Sequence, residues 1–301
     1  MLATASSKGV AILFPSRFEY HAPSSVDEAL ALLAEHGDDA KVLAGGQSLI
    51  PLMKLRFAAP PVIVDINRIP GLDGIAEEGG SLRVGALVRN RALERSDVIT
   101  ARYPTMAAAA PMISDPVVRN QGTFVGSLCH ADPQGDWGSV MLALDGSVVA
   151  RSQAGGERVI PIGEFLDGPF TSTLRADELA VEARVPDPGA EFAGTYLKLE
   201  RKIGDFATVG VAVFLATSGG TVTRAGIGLT GVGATNIKAT AAEAALVGNT
   251  VSDALIDEVA GLAAEASDPR TDVRGSADYK RDVVRVYVAR GLRAVAATPV
   301  A

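Results

Sequence analysis

The chain has 301 residues, 48% of them hydrophobic and 21% charged, which is room for about two or three compact domains and excludes a disordered or fibrous polymer. A formal net charge of -7 gives it no electrostatic footprint for nucleic acid or for an anionic membrane. Its single cysteine, Cys129, excludes an internal disulfide and any cysteine-held zinc or iron-sulfur site, and its three histidines, His21, His36 and His130, match no established ligand spacing.

Residues 1–13 are small and polar and read as a loosely held tail. The apolar run Val10 to Phe14 is too short for a signal-peptide core or for the roughly 20 residues that cross a bilayer, so the sequence predicts a cytoplasmic protein without an integral membrane segment. Ser24 and Ser25 precede Val26, Ala29, Leu30, Leu32 and Leu33, an apolar stripe at helical spacing that stops at Gly37. Lys41 to Ala44 reads as a strand, Gly45-Gly46 breaks it, and Leu49 to Leu55 resumes as helix. Val62 to Ile66 and Ser81 to Val84 are further strands, and an alanine-rich helix is expected around Tyr103 to Met112. From Arg119 to Gly138 the chain is polar and glycine-bearing and reads as a long loop, of the kind compact domains keep for binding. Met141 to Val149, Arg158 to Ile162 and Leu179 to Val185 read as strands, and Pro186-Asp187-Pro188-Gly189 then punctuates the chain. Strands at Tyr196 to Leu199, Val209 to Ala216 and Thr221 to Leu229 are followed by helices near Ala239 to Leu246, Asp253 to Ala266 and Asp278 to Leu292, the order of an α+β domain.

Four segments are candidates for chemistry. Leu43-Ala44-Gly45-Gly46-Gln47-Ser48 lies between a strand and a helix, where glycines let main-chain N–H groups converge on a phosphate; taken alone it also describes an ordinary tight turn. Arg119 to Ser127, with Asp132-Pro133 and Asp136 after it, sets glycines beside hydroxyls and adds a carboxylate able to accept hydrogen bonds from a ribose. Two such turns suit a dinucleotide better than a mononucleotide, although the second, taken alone, could also be a solvated surface loop. Gly226-Ile227-Gly228-Leu229-Thr230-Gly231 formally matches the G-x-G-x-x-G fingerprint, but no helix opens within it. Its glycines therefore read as small residues on one face of a strand rather than as a nicotinamide site. Finally, Tyr196, Lys198 and Glu200 share one strand face by alternation, where an aromatic and a cation could pack against a flavin or simply face water.

In this order, the segments resemble the medium, FAD-binding subunits of the xanthine dehydrogenase and carbon monoxide dehydrogenase family of molybdenum hydroxylases. The stretches that carry the resemblance are Phe14 to Tyr20, Ala44 to Leu49, Val64-Asp65-Ile66, Arg119 to Ser127, Asp132-Pro133 with Asp136, Tyr196 to Asp205, and Asp272 to Arg281. The resemblance implies an α+β chain with a two-lobed FAD-binding domain of the vanillyl-alcohol-oxidase (PCMH) type over residues 14–186, its lobes about 14–70 and 71–186. A CO dehydrogenase flavoprotein C-terminal-like α+β domain would follow over residues 187–295. FAD is expected between the lobes. By the family's pattern, Leu43, Ala44, Gly45, Gly46, Gln47, Ser48 and Leu49, with Gly122, Thr123, Val125, Gly126 and Ser127, hold the diphosphate. Asp136 is carried over to the adenosine ribose, and Tyr196 and Lys198 to the flavin-ring end. One departure is plain: Val125 stands where the family loop has a glycine, and because valine avoids positive φ the backbone is expected to stay in the β region there.

The resemblance also implies partners: a small subunit with two [2Fe-2S] clusters and a large subunit with the molybdenum cofactor, arranged as a dimer of heterotrimers. This chain would take electrons from the clusters and pass them to an external acceptor. The single cysteine agrees, since the chain cannot build a cluster of its own. No residue of it is expected to act as catalytic acid, base or metal ligand. From the residues alone, a stand-alone FAD-dependent oxidase or reductase and an FAD-free scaffold subunit remain alternatives.

Overall fold

The computed structural model describes residues 14–297, and the tail expected over residues 1–13 lies outside the described residues. The first unit comprises β1 (Glu19–His21), α1 (Val26–His36), β2 (Ala40–Leu43), α2 (Leu49–Lys54) and β3 (Val62–Asp65). Strand β3 lies between β1 and β2 and runs parallel to both. A central parallel strand is covered on both faces, which is why Val62, Ile63 and Val64 form an unbroken buried run. Ser25 caps α1 by accepting a hydrogen bond from the Glu28 amide, and Ala29, Leu30 and Leu33 form its buried face.

The second unit opens with β4 (Ile75–Glu78) and β5 (Ser81–Gly85) and continues through α3 (Asn90–Glu94), α4 (Asp97–Arg102), α5 (Pro104–Ala109), α6 (Pro116–Gln121), α7 (Phe124–His130) and α8 (Asp136–Ala143). It ends with β6 (Ser147–Ser152), β7 (Gly156–Pro161), α9 (Ile162–Phe165), the ribbon β8 (Leu166–Gly168) and β9 (Thr171–Ser172), and β10 (Glu178–Pro186). Five strands form an antiparallel sheet in the order β4-β5-β10-β6-β7.

Here the structure corrects the sequence reading. The loop expected from Arg119 to Gly138 is largely helical, and Met141 belongs to α8, so the strand expected from it begins only at Ser147. Local capping makes these short helices. Asp115 accepts from the Val118 amide with Pro116 in the first helical position, and Thr123 accepts from the Gly126 amide. Helices of six to eight residues are too short to show a periodic stripe. In α8 every residue from Asp136 to Ala143 is buried, which erases the amphipathic pattern altogether.

The third unit is an antiparallel sheet in chain order, β11 (Phe192–Leu199), β12 (Val209–Ser218), β13 (Thr221–Thr230) and β14 (Ile237–Lys238), followed by α10 (Thr240–Leu246), α11 (Asp253–Ala266) and α12 (Ala277–Ala296). Along β12, Val209, Val211, Val213 and Leu215 join the core formed with the three helices. The alternating Ala212, Phe214 and Ala216, with Tyr196 of β11, belong instead to the core of the preceding units. The sheet is thus sandwiched, with α5 and α8 lying directly on its second face. A Cβ on Gly226 or Gly228 would run into the main-chain carbonyls of Ala143 and Ser139, and one on Gly194 into Thr105. The pseudo-fingerprint of β13 is a packing device that lets a helix approach a strand closely.

Candidate functional site

Strand β2 delivers the turn Ala44 to Ser48, and the end of α6 delivers Gly122 and Thr123. The two turns touch: a Cβ on Gly45 would lie 2.8 Å from Gly122 Cα and 2.9 Å from the Thr123 nitrogen. Gly46, at φ 72°, makes the first turn possible. The second turn is spliced to the chain before α3, with the Asn90 amide donating to the Gly122 carbonyl (2.9 Å) and the Phe124 amide to that of Val88 (3.1 Å).

A polar brace that sequence reasoning missed spans both turns. Arg89 donates to the Gln121 carbonyl (2.6 Å) and to Asn67 Oδ1 (2.6 Å). Asn67 Nδ2 donates in turn to the Ala44 carbonyl (2.8 Å) and to Asp65 Oδ1 (2.6 Å). Burial holds the Arg89 guanidinium below its usual range, with the Asp65 carboxylate acting against that shift. Among the described residues, the amides of Gly46, Gln47, Ser48 and Val125 donate to no protein acceptor. Val125 sits in the first turn of α7, 1% exposed and without a positive φ, so its backbone is helical and not in the expected β region. Thr123 caps the helix by accepting from the Gly126 amide, and no left-handed residue is needed there.

Above these turns lies a cleft of about 660 Å³. Of the residues carried over from the family, Leu43, Ala44, Gly45, Gly46, Gln47, Ser48, Leu49, Gly122, Thr123, Val125, Gly126, Ser127, Asp136 and Lys198 all line it. Tyr196 does not. It is 2% exposed and donates from its hydroxyl to Asp136 Oδ1 at 2.6 Å. Lys198 Nζ takes the other oxygen, Oδ2, at 3.0 Å and also donates to the Met112 carbonyl at 3.0 Å. Burial pushes the Asp136 carboxyl above its ordinary range against the pull of Lys198 and Tyr196, and burial beside Asp136 holds the Tyr196 hydroxyl well above its own.

Asp136 and Lys198 therefore lie together, 3.0 Å apart, on one part of the cleft lining, with Tyr196 buried behind Asp136 and supporting it. The third unit also holds the approach to α8 through main chain, with the Gly231 amide donating to the Pro133 carbonyl (2.9 Å) and Asn236 to that of Gly135 (3.0 Å).

Residues not singled out from the sequence as site residues complete the walls: Leu33, Gly37 and Lys41 beside β2, Arg175 and Leu179 opposite, and Gly204, Asp205 and Phe206 after β11. Their only sequence signal was that Gly204 and Asp205 end the stretch Tyr196 to Asp205, which carries the family resemblance. Asn90 also lines the cleft and accepts from Trp137 Nε1 at 2.9 Å. The Cys129 thiol lines it too and is pushed up to about 12 by burial. Among the described residues no cluster of metal-ligating side chains occurs, and no helix is long and apolar enough to cross a membrane.

Residues 16–188 match the family described as FAD binding domain in molybdopterin dehydrogenase, and residues 194–295 match the CO dehydrogenase flavoprotein C-terminal domain. The chain is 42% identical to the carbon monoxide dehydrogenase medium chain of Hydrogenophaga pseudoflava, over 94% of this chain and 98% of the relative. It is 40% identical to the 6-hydroxypseudooxynicotine dehydrogenase complex subunit alpha of Paenarthrobacter nicotinovorans, over 92% and 94% of the two chains. A chain of the reconstituted CO dehydrogenase from Oligotropha carboxidovorans superposes with a TM-score of 0.92 at 36% identity, covering 95% of this chain and 100% of that one.

Proposed function

The chain belongs to the family of FAD-binding medium subunits of molybdenum hydroxylases, and from that premise we propose that it holds one FAD in its cleft, receives electrons from the [2Fe-2S] clusters of a small partner subunit and passes them to an external acceptor. The observation that carries this reading is the meeting of two turns whose unpaired amides face a cleft of about 660 Å³, within the range usual for cofactor sites. Converging amides also explain how a chain of net charge -7 grips a diphosphate without a basic cluster.

The amides of Gly46, Gln47, Ser48 and Val125 hold the diphosphate, with the hydroxyls of Ser48 and Ser127 at hand. The end of the cleft beside Lys198, Asp136 and Phe206 takes the flavin ring; the end beside Gly37, Lys41 and Arg175 takes the adenosine. FAD supplies the capacity to accept two electrons and to release them singly or together. The Lys198 ammonium favours negative charge arriving nearby, and Asp136 at 3.0 Å with Glu200 at 3.6 Å moderates it. Phe206 and Ile113 help to keep water from that end. Relatives named for carbon monoxide and for 6-hydroxypseudooxynicotine align over nearly the whole chain, which supports substrate choice in a large molybdenum subunit of a heterotrimer rather than here.

Reconstitution tests this. The purified chain is expected to bind one FAD, and that flavin is expected to bleach when the assembled complex receives substrate without an acceptor, but not when the isolated chain does. Bleaching of the isolated chain by a small organic donor would point instead to a stand-alone oxidase or reductase. Failure to take up FAD would leave a scaffold.

A further inference from the structure

The segment Asp272 to Arg281 does not line the cleft, yet an unbroken series of contacts ties it to the rim. Buried Lys280, in the first turn of α12, donates to the Arg270 carbonyl (2.9 Å) and to Asp272 Oδ2 (2.7 Å). Asp272 Oδ1 accepts from the Arg274 amide (2.8 Å), and its main chain exchanges hydrogen bonds with Gly275 in both directions (3.1 and 3.2 Å). That turn aims the Arg274 side chain, 12% exposed, at the segment after β11. There Nη1 donates to the Phe206 carbonyl (2.9 Å) and Nη2 to Asp205 Oδ1 (3.3 Å). Asp205 also accepts from Arg201 Nε (3.1 Å) and from the Phe206 amide (2.8 Å). On its other side the segment rests on Ser114, where a Cβ on Gly204 would lie 3.1 Å from the main chain. Gly204, Asp205, Phe206 and Ser114 all face the cleft.

We propose that Arg274 is a positioning residue that holds the Arg201 to Phe206 segment as a wall over the ring end of the cleft, and so sets how far solvent and small electron acceptors reach the flavin. The inference rests on the FAD reading above. The wall has little packing of its own: Ile203 is 97% exposed and Phe206 51%. A segment so poor in apolar contacts opens easily unless polar contacts close it. A guanidinium fork that meets a carbonyl and a carboxylate together suits that task, and a lysine, with a single nitrogen at the end of its stem, does not reproduce it.

The test uses the full-length chain reconstituted with FAD and its Arg274→Gln, Arg274→Lys and Asp205→Asn variants. Flavin fluorescence quenching by iodide reports access to the ring, and trypsin cleavage after Arg201 and Lys202 reports opening of the segment. Arg274→Gln is expected to keep one FAD per chain, and both Arg274→Gln and Asp205→Asn to move the iodide quenching of bound flavin toward that of free FAD and to speed cleavage by about tenfold, as expected when a charged hydrogen bond closing a local segment is lost. Arg274→Lys should fall between wild type and Arg274→Gln in both readouts. Unchanged iodide quenching in variants that carry FAD would overturn the proposal alone. Equal loss of FAD from all three variants, the mark of general collapse, would overturn it as well. A wild-type chain that binds no FAD would bring down the FAD reading and this inference with it.

Discussion

Gly45 at the floor of the cleft and Gly226 in the third sheet both exist because other main chain lies where a Cβ would be. They differ in what surrounds them. Around Gly226 and Gly228 strand β13 is paired along its length, with Gly226 opposite Phe214 and Gly228 opposite Ala212, so the ladder leaves nothing for a ligand. Around Gly45 the chain has just left its sheet, and the amides of Gly46, Gln47 and Ser48 are unsatisfied among the described residues. A glycine cluster becomes a binding site through unspent hydrogen-bonding capacity, and glycine content alone does not supply it.

The sharpest way to break this contrast is to add side chains on both sides of it. Gly226→Val drives two methyl groups into the backbone of α8 and should cost about 3 kcal/mol or more of stability, read as a large drop in the thermal midpoint with or without FAD. A variant that kept its midpoint and lost only FAD would erase the distinction. Gly45→Ala should do the reverse. Pushing the two turns apart is expected to weaken FAD binding by about 100-fold, some 2.7 kcal/mol, while the midpoint of the FAD-free chain moves far less than in Gly226→Val. Titration with FAD alongside thermal unfolding separates the two effects.

A smaller change is expected from Asn67→Leu, which removes the link between Arg89 and the Ala44 carbonyl without adding bulk to either turn. FAD affinity should fall about tenfold, the value of one hydrogen bond to a charged group. The smallest effect concerns pH. The native Asp136 carboxyl titrates above its ordinary value of 3.8, so between that pH and its native value the folded chain keeps a proton that the unfolded chain has released. Stability relative to Asp136→Asn should therefore decline as pH rises through that window and be level on either side of it. Denaturant unfolding of both FAD-free chains across acidic pH would show it, and a difference that grew with rising pH would contradict the environment described for this carboxylate.

Much of the architecture was legible where one local signal sufficed. The stripe after Ser25, the β-branched run at Val62 and the helix Asp253–Ala266 emerge with nearly the expected limits, because burial there follows the element's own period. Helices α6, α7 and α8 were not legible, since they depend on caps and on being enclosed from all sides. At the site, the glycine turns could be read from residue type and order, whereas the brace could not. Asn67 and Arg89 are ordinary surface residues until the fold brings them together across 22 positions. The partnership of Asp136 with Tyr196 was hidden for the same reason: 60 positions separate them, and only tertiary packing brings them together.

The sandwiching of the third sheet between α12 on one side and α8 on the other has a practical outcome for anyone wishing to isolate the flavin-holding half. A fragment ending at Pro186 would leave α8 without the strand it lies on and Asp136 without its lysine, while the severed remainder would show water the greasy underside formed by Ala212, Phe214 and Ala216. Neither piece has a finished surface. The boundary between the two matched families is therefore a seam in the gene's text and not a place where the molecule can be divided.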